Sequence, residues 1–255
     1  MDLPASGLAP DGSAVVRVLS YNVRSLRDDT AALARVVRAC APDVVCVQEA
    51  PRFFRWRKHA ARLARECGLV YVTGGATAAG PLILAHLRAA VDHTEDLLLP
   101  LTPGLHRRGL ALAVLRFGTA ARLAVTSFHL SLRARERYGQ AGLLLRHLRR
   151  TARQWRVSAL VAAGDVNEPP DGPAFRRLAG ELRDCRAVRP WGGEHTLPVR
   201  HPRRRIDAVF ASPQVTVLGC GVPRGLPGVT PHDLVAATDH LPVLAALRVS
   251  PATAG

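Results

Sequence analysis

Lysine is almost absent from this 255-residue chain: Lys58 is the only one, so nearly all of the 35 basic side chains are arginine, set against only 20 acidic residues. Codon bias in a GC-rich genome explains arginine in place of lysine and the abundance of Ala, Gly, Pro and Val, but not the shortage of acid. A formal net charge of +15 implies a surface that attracts polyanions. Cysteines are few: Cys40, Cys46, Cys67, Cys185 and Cys220 are odd in number and none forms a CxxC pair, which predicts reduced thiols in the core. No stretch reaches the roughly 18 apolar residues of a membrane span, and residues 1–13 hold Asp2 but no apolar run of signal length. A soluble, cytoplasmic, monomeric protein without stable membrane association is expected. Repeats, low-complexity tracts and interdomain linkers are also missing, and 48% hydrophobic with 22% charged residues is a globular composition. The length fits one large domain over 14–250, with 1–13 and 251–255 as flexible termini.

What is present is an apolar pattern that switches between strand and helix periods. Residues 14–20 read as a strand delivering Tyr21 and Asn22 at its end. Asp29 or Thr30 caps a helix with Leu33, Val36, Val37 and Cys40 on one face, closed by Pro42. Residues 43–47 form a buried strand ending in Gln48-Glu49. Pro51 then starts a helix on which Phe53, Trp56, Ala60, Leu63 and Cys67 share a face, with Arg52, Arg55, Arg57 and Lys58 mostly elsewhere, until Gly68. Short strands follow, of which 109–117 and 122–128 make a hairpin around Gly118-Thr119. A long helix over about 133–155 carries Tyr138, Ala141, Leu145, Leu148, Ala152 and Trp155 as its core stripe. Residues 158–163 are a strand, Phe175 and Leu178 lie on a short helix, and strands return at 206–211, 214–218 and 241–249. This order suggests two mixed sheets packed face to face with outer helices.

Six polar signatures end or begin these apolar runs: Tyr21-Asn22, Gln48-Glu49, Phe128-His129, Gly164-Asp165-Val166-Asn167, Arg205-Ile206-Asp207 and Thr238-Asp239-His240. A sheet with polar strand ends gathers distant residues on one rim. Singly, each has a plain conformational explanation, since Asn, Asp and Gly favour turns. As a set they supply what phosphodiester hydrolysis needs: a cation site, an oriented water and phosphate-oxygen donors. Glu49, with Asp239 or Asn22, suffices for Mg²⁺ or Mn²⁺, which takes one or two carboxylates plus water; scattered cysteines and the lack of HExxH disfavour zinc. Asp165 and Asn167, two residues apart, orient water and grip phosphate. Asp207 pairs with His240 to fix its tautomer and stabilise its imidazolium. His129 donates to a phosphate oxygen, and Arg107, Arg108, Arg203 and Arg204 are candidates to grip further phosphates.

On these motifs the chain resembles the endonuclease/exonuclease/phosphatase superfamily, in motif order over roughly 15–249. Leu19-Ser20-Tyr21-Asn22-Val23-Arg24 is similar to its opening motif, Pro42 to Glu49 to the segment with the metal-binding Glu, Gly164-Asp165-Val166-Asn167 to GDxN, and Thr238-Asp239-His240-Leu241-Pro242-Val243 to SDHxPV with Thr for Ser. The resemblance implies a DNase I-like four-layer α/β/β/α sandwich and Mg²⁺- or Mn²⁺-dependent phosphoester hydrolysis. The abasic-site repair branch carries Tyr where this chain has His129 and is disfavoured. A nuclease or phosphodiesterase acting on DNA or RNA is the first expectation. A phosphatase or phospholipase for small or lipid phosphoesters is the alternative, and a non-catalytic binding module a third.

Overall fold

The apolar faces sort into two sheets in a computed structural model that describes residues 3–251. In chain order the strands are β1 (Gly7–Leu8), β2 (Ala14–Asn22), β3 (Val44–Gln48), β4 (Val70–Gly74), β5 (Leu82–Ala85), β6 (Ala89–Leu98), β7 (Gly109–Phe117), β8 (Ala121–His129), β9 (Ala159–Asp165), β10 (Arg183–Asp184), β11 (Asp207–Ala211), β12 (Val215–Gly221) and β13 (Val243–Val249). The helices are α1 (Thr30–Cys40), α2 (Trp56–Glu66), α3 (Ala134–Trp155), α4 (Pro173–Glu181), α5 (Cys185–Val188) and α6 (Pro231–Ala237). One sheet runs β12-β13-β2-β3-β5-β4 with β1 on β2, the other β10-β11-β9-β8-β7-β6.

Because strand side chains alternate between faces, each sheet serves two cores. Val16, Val18, Val44 and Cys46 point between the sheets to meet Ala111, Ala113, Val125 and Val161. Leu19, Tyr21, Val45 and Val47 point outward against Leu33, Val36, Leu63 and Leu234 of α1, α2 and α6. On the far side Leu112, Phe128 and Phe210 pack on Leu144, Leu148 and Phe175 of α3 and α4. This is the expected four-layer α/β/β/α sandwich. All five cysteines are buried and unpaired, and no described helix is long and apolar enough to cross a membrane. Of the residues before the domain, Gly7 and Leu8 pair with β2 and Leu3 is buried; residues 1, 2 and 252–255 lie outside the described residues.

Three local readings change. Helix α2 begins at Trp56, not Pro51, and leaves Phe53 outside it. The chain leaves Glu49 in the left-handed region (φ 54) and is tied to the 75–80 turn by Ala50 N donating to Gly80 O, so 50–55 cannot join the helical ladder. On α3 the first residue of the stripe is not core: Tyr138 is exposed beneath the Arg177 guanidinium, whereas Trp155 is half-buried, packed against the core under α3 and α4 and stacked on His93. The strands also run one or two residues further than their apolar runs, so that Asn22, Gln48, His129 and Asp165 are themselves the last ladder residues.

That extension positions the rim. Parallel β2 and β3 pair Asn22 with Gln48, and parallel β8 and β9 pair His129 with Asp165. Antiparallel β11 sets Asp207 opposite Asp165, and antiparallel β13 sets Val243 opposite Ser20. Strand ends of the parallel pairs and strand starts of their antiparallel neighbours therefore meet on one edge. Ser127 Oγ, donating to Val47 O at 2.8 Å, stitches the two sheets there.

Candidate active site

Asp165 is the centre of the cluster because β9 lies between β8 and β11, which makes His129 and Asp207 its ladder neighbours. His129 Nε2 is 3.4 Å and His240 Nε2 4.0 Å from Asp165 Oδ2. His240 Nδ1 lies 2.9 Å from Asp207 Oδ2, while Asp207 Oδ1 is buried with no hydrogen-bond partner. The first sheet contributes Asn22, whose Nδ2 donates to Glu49 Oε1 at 3.1 Å and to Asp165 Oδ2 at 3.2 Å. One amide thus joins carboxylates from both sheets, and Arg24 N donates to its Oδ1 at 3.1 Å.

Glu49 differs from the rest of the cluster in exposure: its side chain is 39% exposed, against 8% for His129 and 2% for Asp165. Its left-handed backbone faces a second unusual turn, Arg24, Ser25 and Leu26, with φ of 43°, 57° and 57°. Ser25 N donates to Glu49 O at 2.8 Å, so the two turns hold each other. Non-glycine residues in this region carry about 1–3 kcal/mol of strain each, which persists only where the surroundings over-determine it.

The segment after Asp165 is a turn rather than extended strand. Asn167 is left-handed (φ 58), its N–H donates to Asp165 Oδ1 at 2.8 Å, and its Nδ2 donates to Leu130 O at 2.9 Å. Its next residue, Glu168, was not singled out from sequence. Buried Glu168 accepts from Arg137 Nε at 2.8 Å and Phe175 N at 2.7 Å, and Arg137 Nη1 reaches Ser131 O and Leu132 O. The loops after β8 and β9 are clamped by this pair. Arg137→Ala would leave the Glu168 carboxylate buried and unpaired; a loss of about 3–5 kcal/mol is expected, read from the denaturant midpoint, and a shift under about 1 kcal/mol would mean water replaces the guanidinium.

Charge is unevenly placed. Burial, then the charge of Asp207, pushes the Asp165 carboxyl up to about 7, against the opposing influence of His240, the Asn167 N–H and the Asn22 amide. Burial disfavours a charged His240, but the Asp207 charge and hydrogen bond outweigh it and raise its imidazole to about 10. His240 is therefore an imidazolium at neutral pH, with Nδ1–H donating to Asp207. Burial, followed by the nearby Arg108, His240, Arg52 and His106, drives His129 well below its usual value, so it stands neutral here.

These groups open into a cleft of about 360 Å³ whose wall includes Arg52, His106, Arg108 and Arg27 beside Glu49, His129, Asp165, Asn167 and His240. Arg108 belongs to that wall as expected, but Arg107, Arg203 and Arg204 are exposed outside it. Arg205, next in sequence, is instead held by Asp184 at 2.8 Å and lies over the Phe175 ring. Asp239 is drawn aside, with Oδ2 3.3 Å from Arg24 Nε and a side chain 45% exposed. Arg52 joins the wall although its sequence position reads as part of a helix; its place three residues after Glu49 is the one signal for it. A larger hollow of about 750 Å³ beside Trp191 and Leu226 shares no residue with this cluster.

Comparison with known proteins gives the family and the fold. The profile of the Endonuclease/Exonuclease/phosphatase family matches residues 19–240. No curated protein matches the sequence. Among solved structures, an endonuclease/exonuclease/phosphatase from Bacteroides vulgatus is similar with 17% identity and a TM-score of 0.75, over 92% of this chain and 99% of that one. The mannosyl-6-phosphatase of Bacteroides thetaiotaomicron is similar at 18% and 0.74, over 91% and 99%. D. rerio TDP2, in complex with a single-strand DNA product, is similar at 18% and 0.65, over 91% and 98%.

Proposed function

The chain belongs to the endonuclease/exonuclease/phosphatase family and is a divalent-metal-dependent phosphoester hydrolase; on that premise we propose that it hydrolyses phosphodiester bonds of DNA or RNA, using water, in the cleft around Asp165, within one domain over 14–250. The observation that carries the chemistry is the contact set Glu49–Asn22–Asp165 beside His240–Asp207. The preference for nucleic acid rests on arginines and His106 on the cleft wall and on a net charge of +15. A cleft of about 360 Å³ also suits a small phosphate ester, which keeps a phosphatase or phospholipase as the second reading.

The donors fit a hard cation. Glu49 presents its carboxylate to the cleft with Oε1 held by Asn22 and Oε2 free of hydrogen bonds among the described residues, and oxygen donors are what Mg²⁺ or Mn²⁺ prefers. Glu49 would be the chief ligand and Asn22 would hold it in place, with Asp239 adding a second carboxylate at the expense of its ion pair with Arg24. When bound, such a cation neutralises the charge that builds on the phosphoryl oxygens.

The remaining work falls to the chain's own groups. Asp165, once deprotonated, orients a water and accepts its proton as the water oxygen bonds to phosphorus and the ester P–O bond breaks, the departing alkoxide taking a proton from solvent; the Asn167 and Asn22 donors keep the carboxylate aimed. His240, charged and fixed through Nδ1 by Asp207, offers Nε2–H to a phosphate oxygen. His129, neutral, adds a donor on the opposite side of Asp165. Arg52 and Arg108 grip phosphates flanking the scissile one.

A pH profile follows. Because Asp165 must lose its proton, kcat/KM should rise with pH through a limb at or below about 7, a nearby cation moving it lower. Because His240 must keep its proton, activity should fall as pH approaches about 10. Asp165→Asn removes the acidic limb along with most activity; a profile flat between about pH 5 and 9 would remove the Asp165 assignment, and one with no fall beyond about pH 10 would remove that of His240.

Salt distinguishes wall from surface. Nucleic-acid affinity should fall steeply with salt, and Arg52→Ala and Arg108→Ala should each flatten the log–log slope by about 1. Neutralising Arg203 and Arg204 tests whether a longer substrate reaches them, through the same slope. The substrate class itself is decided by a panel of linear and single-stranded DNA, RNA, bis-nitrophenyl phosphate, phosphomonoesters and phospholipids, with Mg²⁺, Mn²⁺ or chelator. Metal-dependent scission of nucleic acid supports the proposal; turnover confined to monoesters or lipids replaces it with the second reading.

A further inference from the structure

Between the cleft and α2 the chain displays Phe53 and Phe54 with 81% and 80% of their surface exposed. Neither belongs to a hydrophobic core or to an aromatic pair among the described residues. Single exposed apolar residues are ordinary, but two adjacent rings on one protruding segment are a concentrated apolar surface. The segment is held at both ends. Arg52 Nη1 donates to Ala79 O at 3.3 Å on the cleft wall, and Trp56 lies so close to Gly75 that a Cβ there would come within 2.7 Å of the indole. Each ring also carries a guanidinium over one face, Arg52 at 5.7 Å from the Phe53 centroid and Arg55 at 4.9 Å from that of Phe54. The sequence Arg52-Phe53-Phe54-Arg55-Trp56-Arg57-Lys58 thus intersperses rings with cations, beginning three residues after Glu49.

We propose that Phe53 and Phe54 are a stacking platform for unpaired bases, which holds a single-stranded or frayed nucleic acid while Arg52 leads its backbone into the cleft. This rests on the nucleic-acid reading above and goes beyond it by naming the strand form selected. A base needs one open ring face, and each phenylalanine has one opposite its arginine; the guanidiniums then lie where phosphates of the same strand pass. A duplex keeps its bases stacked internally and has no free face to offer. An anionic bilayer is the competing occupant of an exposed aromatic pair, but burying both rings in hydrocarbon would carry Arg52 and Arg55 with them, and charged groups are strongly disfavoured there.

The test is binding of labelled, phosphorothioate-linked oligodeoxythymidine and of a blunt phosphorothioate duplex of equal length, followed by anisotropy in Mg²⁺, for the parent, Phe53→Ala/Phe54→Ala and Phe53→Trp/Phe54→Trp. The alanine variant should bind the single strand at least about 10-fold more weakly and the duplex within about 2-fold of the parent. Its salt slope should be unchanged, because the rings release no counterions, and its melting temperature should match the parent's. The tryptophan variant should restore single-strand binding. Equal losses on both forms, or no loss in a parent that does bind nucleic acid, overturn the platform alone. A parent that binds neither form overturns both the platform and the reading beneath it. Sedimentation with phosphatidylglycerol vesicles that depends on the two rings, with oligonucleotide binding untouched, assigns them to a membrane and overturns the proposal.

Discussion

Glu49→Gln is expected to lower turnover by about 10²- to 10³-fold at saturating Mg²⁺ while the protein melts as the parent does. Glu49 contributes little to the cores: its side chain is 39% exposed, and a Gln amide oxygen can still accept from Asn22. What the substitution removes is the negative charge that holds a cation against the phosphate, so the loss belongs in kcat and is only partly recovered by raising Mg²⁺. Initial rates on a diester across a metal titration measure it. Rates within about threefold of the parent, well inside the 1.4 kcal/mol that a tenfold change represents, would move the cation away from Glu49.

Asp207 and His240 should behave as one unit. With His240 Nδ1 2.9 Å from Asp207 Oδ2, the carboxylate fixes which nitrogen faces the phosphate and keeps the ring charged. Removing the carboxylate therefore removes most of what the imidazole provides. Asp207→Asn and His240→Ala are each expected to cost about 10³-fold, and the double variant no more than a few-fold beyond the worse single one. Independent roles would instead multiply the losses to about 10⁶-fold. The buried, partnerless Oδ1 of Asp207 adds a stability effect with a definite sign. Asp207→Asn puts an amide there with no partner and weakens the charged bond to His240, so it should destabilise the fold by about 1–3 kcal/mol, and the rates are compared well below the variant's melting temperature.

The rim was legible in the sequence because each strand announces itself by an apolar run and ends on a polar residue that the run does not need. Asn22, His129 and Asp165 could be read as strand-end groups for that reason, and Asp29 as the cap of α1, where its Oδ1 accepts from Ala31 N at 2.9 Å. Which strand ends share an edge depends on parallel against antiparallel pairing, which no local pattern encodes; the motif resemblance supplied it. Arginine positions were the least legible, since charge on a loop carries no periodicity. Arg108 faces the cleft, Arg107 faces solvent, and Arg205 disappears into a pair with Asp184, although all lie in similar basic runs. Phe53 misled for the opposite reason: it fits a helical face by spacing with Trp56, Ala60 and Leu63, and only the left-handed exit from Glu49 takes it out of the helix. Asn167 shows that a turn and a functional group are not alternatives, because the turn that makes it left-handed is also what aims Asp165.

The most direct measurement of the central claim is Mn²⁺ binding, read as the free-ion electron paramagnetic resonance signal, for the parent, Glu49→Gln and Asp165→Asn at one pH and ionic strength. A cation centre built on Glu49 requires the parent to remove Mn²⁺ from solution stoichiometrically, Mg²⁺ to compete for the same site, and Glu49→Gln to weaken binding by about tenfold or more, with a smaller loss in Asp165→Asn. Equal Mn²⁺ binding by the parent and Glu49→Gln would contradict it.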